Sequence, residues 1–64
     1  MKISTKAVDY QLAVQGMTRA QLAEKAGLSR PNVSTVLTRG TCKPQTAGKI
    51  ANALNVDVSE ILED

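Results

Sequence analysis

The stretch from Thr18 to Arg39 constrains the fold most, because it contains two short helical patterns separated by one glycine. In the first pattern the apolar residues recur at helical spacing, and they are Leu22, Ala23 and Ala26. Gly27 follows, at the position where many helices end in a left-handed residue. In the second pattern the inward residues are Val33, Val36 and Leu37. The stretch therefore predicts a helix over 19–26, a tight turn, and a second helix over about 30–38.

The side of the second helix opposite its apolar residues carries small or forked hydrogen-bonding groups. They are Arg30, Asn32, Ser34, Thr35 and Thr38, and none of them is acidic. An arginine can bind guanine through two hydrogen bonds, an asparagine can do the same with adenine, and a threonine methyl group can contact that of thymine. A helix with such a side, supported by a preceding helix, fits the major groove of duplex DNA.

This stretch resembles the helix-turn-helix of the phage repressor and Cro family, the XRE-like regulators. Over residues 19–38 the similarity lies in the inward positions and the turn, namely Leu22, Ala23, Ala26, Gly27, Leu28, Val33 and Val36. The segments GMTRAQLAEKAGLS and KIANALNVDVSEIL are also similar to family patterns, at the expected separation. The resemblance implies an all-α fold, a compact five-helix bundle of the lambda-repressor-like type, with residues 1–64 as a single DNA-binding domain.

The sequence departs from the family pattern in two places. Many members have an Arg at the position of Leu12 and a Glu at that of Leu37, which form an internal ion pair. The two leucines predict a hydrophobic contact in its place, a replacement that is often neutral or stabilising. The glycine after the second helix of the motif comes one residue late, as Gly40, so the loop before the fourth helix is expected to differ from that of the family.

A first helix is predicted over about residues 5–15, and it carries two apolar stripes. Val8 and Leu12 form the stripe assigned to the core, because Leu12 then meets the second helix of the motif. The other stripe consists of Ala7, Tyr10 and Val14, and Tyr10 and Val14 are predicted to lie at the periphery of the core. A patch for a partner is the alternative for that stripe.

A fourth helix is predicted over about residues 44–54, from apolar residues at helical spacing, namely Ala47, Ile50, Ala51 and Leu54. Gly48 within it implies either close packing or a mobile first turn. Asn55 suits a left-handed helix end. Asp57 is predicted to cap a last short helix, with Glu60 as its capping-box partner.

The residues expected to bind bases are Arg30, Asn32, Ser34 and Thr35, with a phosphate as the alternative for Ser34. Those expected to bind DNA phosphates are Thr18, Arg19, Thr38, Arg39 and Lys43. Thr18 also suits an N-cap, and the two roles are compatible. A solvated loop is the alternative for the segment around Arg39 and Lys43. At the C-terminal end of the domain, where similar proteins often dimerise, the expected dimer contacts are Val58, Ile61 and Leu62.

Length and composition exclude several classes of function. A chain of 64 residues buries a limited core, so dimerisation would add stability. With a single cysteine, Cys42, and no histidine, neither an internal disulfide nor a Cys/His zinc site is expected. No apolar run approaches the about 20 residues of a membrane helix. Residues 19–49 hold six basic residues and one acid, whereas residues 57–64 hold four acids and no base, a distribution that suits nucleic acid.

The sequence therefore predicts a transcriptional regulator that binds double-stranded DNA as a homodimer in the cytoplasm of a prokaryote or in a phage-infected host. No cofactor, membrane or small-molecule effector domain is expected, and the lack of a catalytic constellation argues against an enzyme. The alternative is a protein-interaction module of the same fold, for instance an antitoxin, with an apolar patch as its binding surface.

Overall fold

The computed structural model describes residues 1–63, in which four α-helices are followed by a 3-10 turn. The helices are α1 (Thr5–Gln15), α2 (Arg19–Ala26), α3 (Arg30–Arg39) and α4 (Pro44–Leu54), and the turn is Val58–Glu60. This part of the chain has no strand, only two isolated antiparallel bridges that pair Lys2 with Thr41 and Ile3 with Leu62. The all-α class is confirmed.

The expected count of five helices is wrong, because the last segment forms only the three-residue 3-10 turn. Asp57 and Glu60 do form the predicted capping box at its start. Beyond the turn, however, Leu62 pairs with Ile3 in one of the two bridges. The backbone there leaves the helical path because it bonds to the N-terminal segment, so no further helical turn follows as far as residue 63.

Three of the four helices begin after a residue whose hydroxyl group caps the first turn. The hydroxyl groups of Ser4, Thr18 and Ser29 each accept a hydrogen bond from the backbone N–H three residues later, over 3.1–3.2 Å. α4 begins at Pro44, which needs no N–H donor in a first turn, and Lys43 at its N-cap makes no side-chain cap bond. The helix starts expected at about residues 5, 19, 30 and 44 agree with the structure, because each of these signals is local.

Three of the helices end in the same way, with a left-handed residue at Gly16, Gly27 and Asn55 respectively. The amide of the next residue then donates to the carbonyl five residues back, over 2.9–3.0 Å, in a Schellman arrangement. α3 ends differently, because the left-handed Gly40 donates a single bond of 2.8 Å to the Val36 carbonyl. The residue after it, Thr41, pairs with Lys2 instead of folding back on the helix.

The core is built from aliphatic side chains, which fits a sequence without Phe or Trp. All four helices, the N-terminal segment and the residue after the 3-10 turn contribute buried side chains: Ile3, Val8, Leu12, Leu22, Ala23, Val33, Val36, Leu37, Ala47, Ile50, Ala51, Leu54 and Ile61. Both Leu12 and Leu37, the leucines that stand where many relatives have an ion pair, belong to this core.

Residues 1–4 bond to two distant parts of the chain. Ile3 is fully buried, and its amide donates to the Gly40 carbonyl over 2.8 Å. The amide of Ser4 donates to the carbonyl of Ile61 over 2.8 Å. This short segment therefore lies between the end of α3 and the C-terminal part of the chain, and it bonds to both.

The second apolar stripe of α1 does not lie at the core periphery, so that prediction is wrong. Tyr10 is 65% exposed and Val14 is 63% exposed. They point away from the core because Val8 and Leu12, on the other side of the helix, are the residues that pack inward. α1 therefore presents an aromatic ring and a valine to solvent.

Candidate nucleic-acid interface

α3 is held by one side only. Val33, Val36 and Leu37 are buried, and α2 packs against both α3 and α4. The sequence places these three residues at helical spacing, so the remaining side of α3 faces away from the core. α3 is therefore fixed through its buried side, while its other side is accessible to another molecule.

The open side of α3 is polar and exposed along its whole length. Its exposed residues are Arg30, Pro31, Asn32, Ser34, Thr35, Thr38 and Arg39. Four of them have the spacing i, i+3, i+4 and i+7, so Pro31, Ser34, Thr35 and Thr38 form one continuous row. Within residues 1–63 none of these side chains hydrogen-bonds to another side chain, which leaves their donors and acceptors available to a ligand.

The four residues predicted to bind bases are all on this side, though not all in the row. Ser34 and Thr35 belong to the row itself. Arg30 and Asn32, in the first turn, flank it on opposite edges of the helix. The arrangement brings a long cationic group and an amide to the N-terminal end of α3, which is the end that contacts base edges in helix-turn-helix proteins.

The cations predicted to bind phosphates lie at the other end of α3. Arg39 is the last residue of α3 rather than part of the following loop, because the helix runs one residue further than predicted and ends at Gly40. Lys43 is exposed at the N-cap position of α4, and Thr38 is exposed in the last turn of α3. These three residues lie on both sides of the short α3–α4 connection.

Thr18 has the double capacity that the sequence predicts. Its hydroxyl oxygen accepts from the Gln21 amide over 3.1 Å, and its own amide donates to Gln21 Oε1 over 2.9 Å. The hydroxyl hydrogen is not used in this capping box, so it can still donate to a phosphate oxygen. Gln21 was missed at the sequence level, although a Thr followed three residues later by Gln is a recognisable capping-box pattern.

Arg19 already has a partner within the chain. Its guanidinium group donates to both carboxylate oxygens of Asp9 on α1, with a shortest distance of 2.9 Å. The sequence gives no signal for this pair, because ten positions and a helix end separate the two residues. Arg19 is thus at the expected surface, next to the N-terminus of α2, but paired with an acid.

The residues expected to form a dimer contact differ in exposure. Val58 and Leu62 are partly buried against the core. Ile61 has no exposed surface and belongs to the core of the single chain. Its side chain is therefore not available at a surface, since its position after the 3-10 turn directs it inward.

Cys42 is partly buried beside the start of α4. Burial raises the pKa of its thiol above the usual value, against the smaller opposing effects of the N-terminal ammonium group and of a hydrogen bond from the Ala47 backbone. The thiol is therefore protonated at neutral pH, which does not favour redox chemistry. In the part of the chain that the structure describes, no three His, Cys, Asp or Glu residues come together to hold a metal ion, and no helix has the length and apolarity to cross a membrane.

Two comparisons with known proteins give a match. The sequence profile of the Cro/C1-type HTH DNA-binding domain matches residues 8–64. No curated protein sequence gives a significant match. Two solved structures match over the whole of this chain, each with 28% sequence identity and a TM-score of 0.84: native PhpD with cadmium atoms, and PhpD with cadmium complexed with hydroethylphosphonate.

The chain spans 14% of the PhpD chain, so the likeness concerns one small part of that protein. Cadmium and the phosphonate are features of those two PhpD structures. The profile match, in contrast, includes the whole of α2, α3 and α4, and therefore every residue of the exposed polar surface described above. The chain belongs to the family of Cro/C1-type helix-turn-helix DNA-binding domains.

Proposed function

We propose that the protein is a sequence-specific transcriptional regulator and that it inserts α3 into the major groove of duplex DNA. The observation that carries the proposal is the open side of α3, where seven exposed polar, cationic or proline residues follow one another without an acid. A buried apolar side holds the helix in place, so a groove can receive it without unfolding any part of the core.

In the proposed complex the two ends of α3 have different tasks. Arg30, Asn32, Ser34 and Thr35 bind base edges, since they come from the first six residues of the helix. Thr38, Arg39 and Lys43 bind backbone phosphates on one side of the groove, and Thr18 and Arg19 bind them on the other. Phosphate contacts supply affinity and position the protein, whereas base contacts supply sequence preference.

The proposal includes a homodimer on a palindromic operator. One α3 contacts only a few base pairs, and two copies related by a two-fold axis would bind half-sites about 34 Å apart. The small size of the chain supports a dimer too, because a core of this size benefits from added burial. Val58 and Leu62 are the candidates for the contact that remain at the surface.

Selection from a random pool of duplexes tests the whole proposal. We expect the recovered sequences to share two inverted half-sites about one helical turn apart. Binding to such a site should weaken steeply with added salt, because each neutralised phosphate releases counterions. A variant with both Arg30→Ala and Asn32→Ala, whose exposed positions leave the core intact, is the matched control and should recover no shared sequence. An unenriched pool with the unmodified protein would contradict the proposal.

A second candidate function is a protein-interaction module, such as an antitoxin, and the exposed Tyr10 and Val14 favour it. In that case a partner protein would cover this part of α1, and Tyr10→Ser would abolish the complex. Retention of salt-dependent DNA binding by Tyr10→Ser, together with loss of DNA binding by Arg30→Ala, would favour the regulator.

We also propose that the protein has no catalytic activity and acts in the cytoplasm of a prokaryote. The absence of histidine and of any cofactor motif from the sequence supports the first statement. The second follows from the proposed target, since a prokaryotic or phage regulator meets its DNA there.

A further inference from the structure

The ion pair between Arg19 and Asp9 lies where the proposed DNA contact is made. Arg19 Nε donates to Asp9 Oδ1 over 3.3 Å, and Nη2 donates to Oδ1 over 3.1 Å and to Oδ2 over 2.9 Å. The contact is side-on, so it occupies the Nε edge of the guanidinium group, and Nη1 has no acceptor within residues 1–63. Both side chains are 47% exposed, which means that the pair is open to an approaching molecule.

A phosphate that reaches Arg19 meets a cation whose charge is already balanced. The carboxylate of Asp9 repels the phosphate and competes with it for the same donors. To gain a free guanidinium group, the phosphate must displace Asp9 or accept a weaker contact through Nη1. Either way the contribution of Arg19 to binding is reduced by the presence of Asp9.

The position of Asp9 is also unusual for this chain. Asp9 and Glu24 are the only acidic residues before Asp57. Glu24 makes no ion pair within residues 1–63, although it lies on the same helix as Arg19. One of these two negative charges is thus paired with Arg19, a cation that lies beside the proposed DNA-binding helix.

We propose that Asp9 limits the affinity of the protein for the DNA backbone by holding Arg19 in an intramolecular ion pair. This proposal rests on the DNA-binding function proposed above. The effect is general rather than sequence-specific, because phosphates carry no sequence information. A weaker backbone contact lowers binding to the operator and to non-operator DNA by the same factor, so the ratio between the two, which the base contacts of α3 set, is unchanged.

The test is a double-mutant cycle on DNA binding, measured with the selected operator and with an unrelated duplex over a range of KCl concentrations. The variants are Asp9→Asn, Arg19→Gln and the double mutant, with Glu24→Gln as the control that removes one acid without touching Arg19. We expect Asp9→Asn to bind both duplexes about two- to fivefold more tightly, the range that an exposed ion pair can supply. The slope of log K against log[salt] should become steeper by about one.

Arg19→Gln should remove the gain of Asp9→Asn in the double mutant and should have a smaller effect in the unmodified protein. Glu24→Gln should change affinity less than Asp9→Asn. Unchanged or weaker binding by Asp9→Asn, or an equal gain by Glu24→Gln, would overturn the role of Asp9 while leaving the proposed function intact. Absence of salt-dependent binding by the unmodified protein would overturn both. Thermal melts of all variants check that each one is folded.

Discussion

The hydroxyl group of Thr5, in the first turn of α1, donates a hydrogen bond of 2.7 Å to the carbonyl oxygen of Leu37, in the last turn of α3. The carbonyls at the end of a helix have no partner inside it. At the ends of the other helices, the left-handed residue donates to the carbonyl three residues back, but at α3 Gly40 donates to the Val36 carbonyl instead. Thr5 therefore supplies a donor that the backbone of α3 does not.

Replacement of Thr5 by Val should destabilise the protein by about 1 kcal/mol, because the Leu37 carbonyl loses its partner while the shape of the side chain is kept. Thr5→Ser keeps the hydroxyl and should retain most of the stability. Urea unfolding followed by circular dichroism measures both variants. Equal stability of the two variants would show that this hydrogen bond makes no net contribution to the free energy of unfolding.

The glycines at positions 27 and 48 should respond in opposite ways to alanine. A Cβ atom at either position would meet no atom within 4 Å, so crowding is the same for both. Gly48 lies inside α4, where Ala is favoured by about 1 kcal/mol. Gly27 has a φ of 70°, where a Cβ costs about 1–2 kcal/mol.

We therefore expect Gly48→Ala to raise the melting temperature and Gly27→Ala to lower it. A loss of stability in Gly48→Ala would mean that the space beside α4 is filled in solution, for instance by a second chain.

Ile61→Ala should destabilise the single chain by about 2–5 kcal/mol, as expected for truncation of a fully buried side chain. Because Ile61 packs within one chain, the loss caused by its truncation should not depend on protein concentration. Ile61→Val, a milder change that costs about 0.5–1.5 kcal/mol, covers the case in which Ile61→Ala does not fold. Thermal melts at two concentrations differing by a factor of ten distinguish this from a dimer contact.

Arg30→Ala and Arg39→Ala should affect DNA binding in different ways. Both side chains are exposed, so neither change should alter stability by much. Arg30→Ala should reduce discrimination at one base pair, at a cost of about 1–3 kcal/mol there. Arg39→Ala should weaken binding to all sequences alike and reduce the salt slope by about one. Competition with single-base variants of the operator separates the two effects. If the two variants had the same effect on binding, the proposed orientation of α3 in the groove would be wrong.

Alkylation of Cys42 should be slow at neutral pH. The thiolate is the reactive form, and burial raises the pKa of this thiol above its usual value. The rate with iodoacetamide should rise with pH and reach half its maximum above the pH found for an unfolded control in urea. A midpoint below that of the unfolded control would contradict the desolvation of Cys42.

The helices and the exposed side of α3 were predictable from the sequence, because their signals are local. The turn between α2 and α3 lies between Gly27, which adopts a left-handed φ, and Ser29, whose side chain accepts a hydrogen bond from α3. The inward residues of α3 recur at helical spacing. The family resemblance, drawn from the same residues, is confirmed by the profile match. Whether the exposed residues bind DNA bases and phosphates stays a prediction.

What the sequence did not reveal depends on contacts between distant parts of the chain. Ile3 is fully buried because it pairs with Leu62 and bonds to Gly40. No local sequence pattern predicts pairing between such distant residues. The same pairing accounts for the lack of a fifth helix within residues 1–63. The sequence identified Val8 and Leu12 as the stripe of α1 that packs inward. It did not reveal the exposure of Tyr10, because periodicity does not show how far from the core the second stripe lies.

Tyr10 is the only aromatic residue of the sequence, and it stands on the outside of α1. Its intrinsic fluorescence therefore reports on the solvent side of one helix, and the aliphatic interior has no optical probe of its own. A change in tyrosine emission during titration with another molecule would signal contact at α1, whereas melting of the interior has to be followed through backbone absorption.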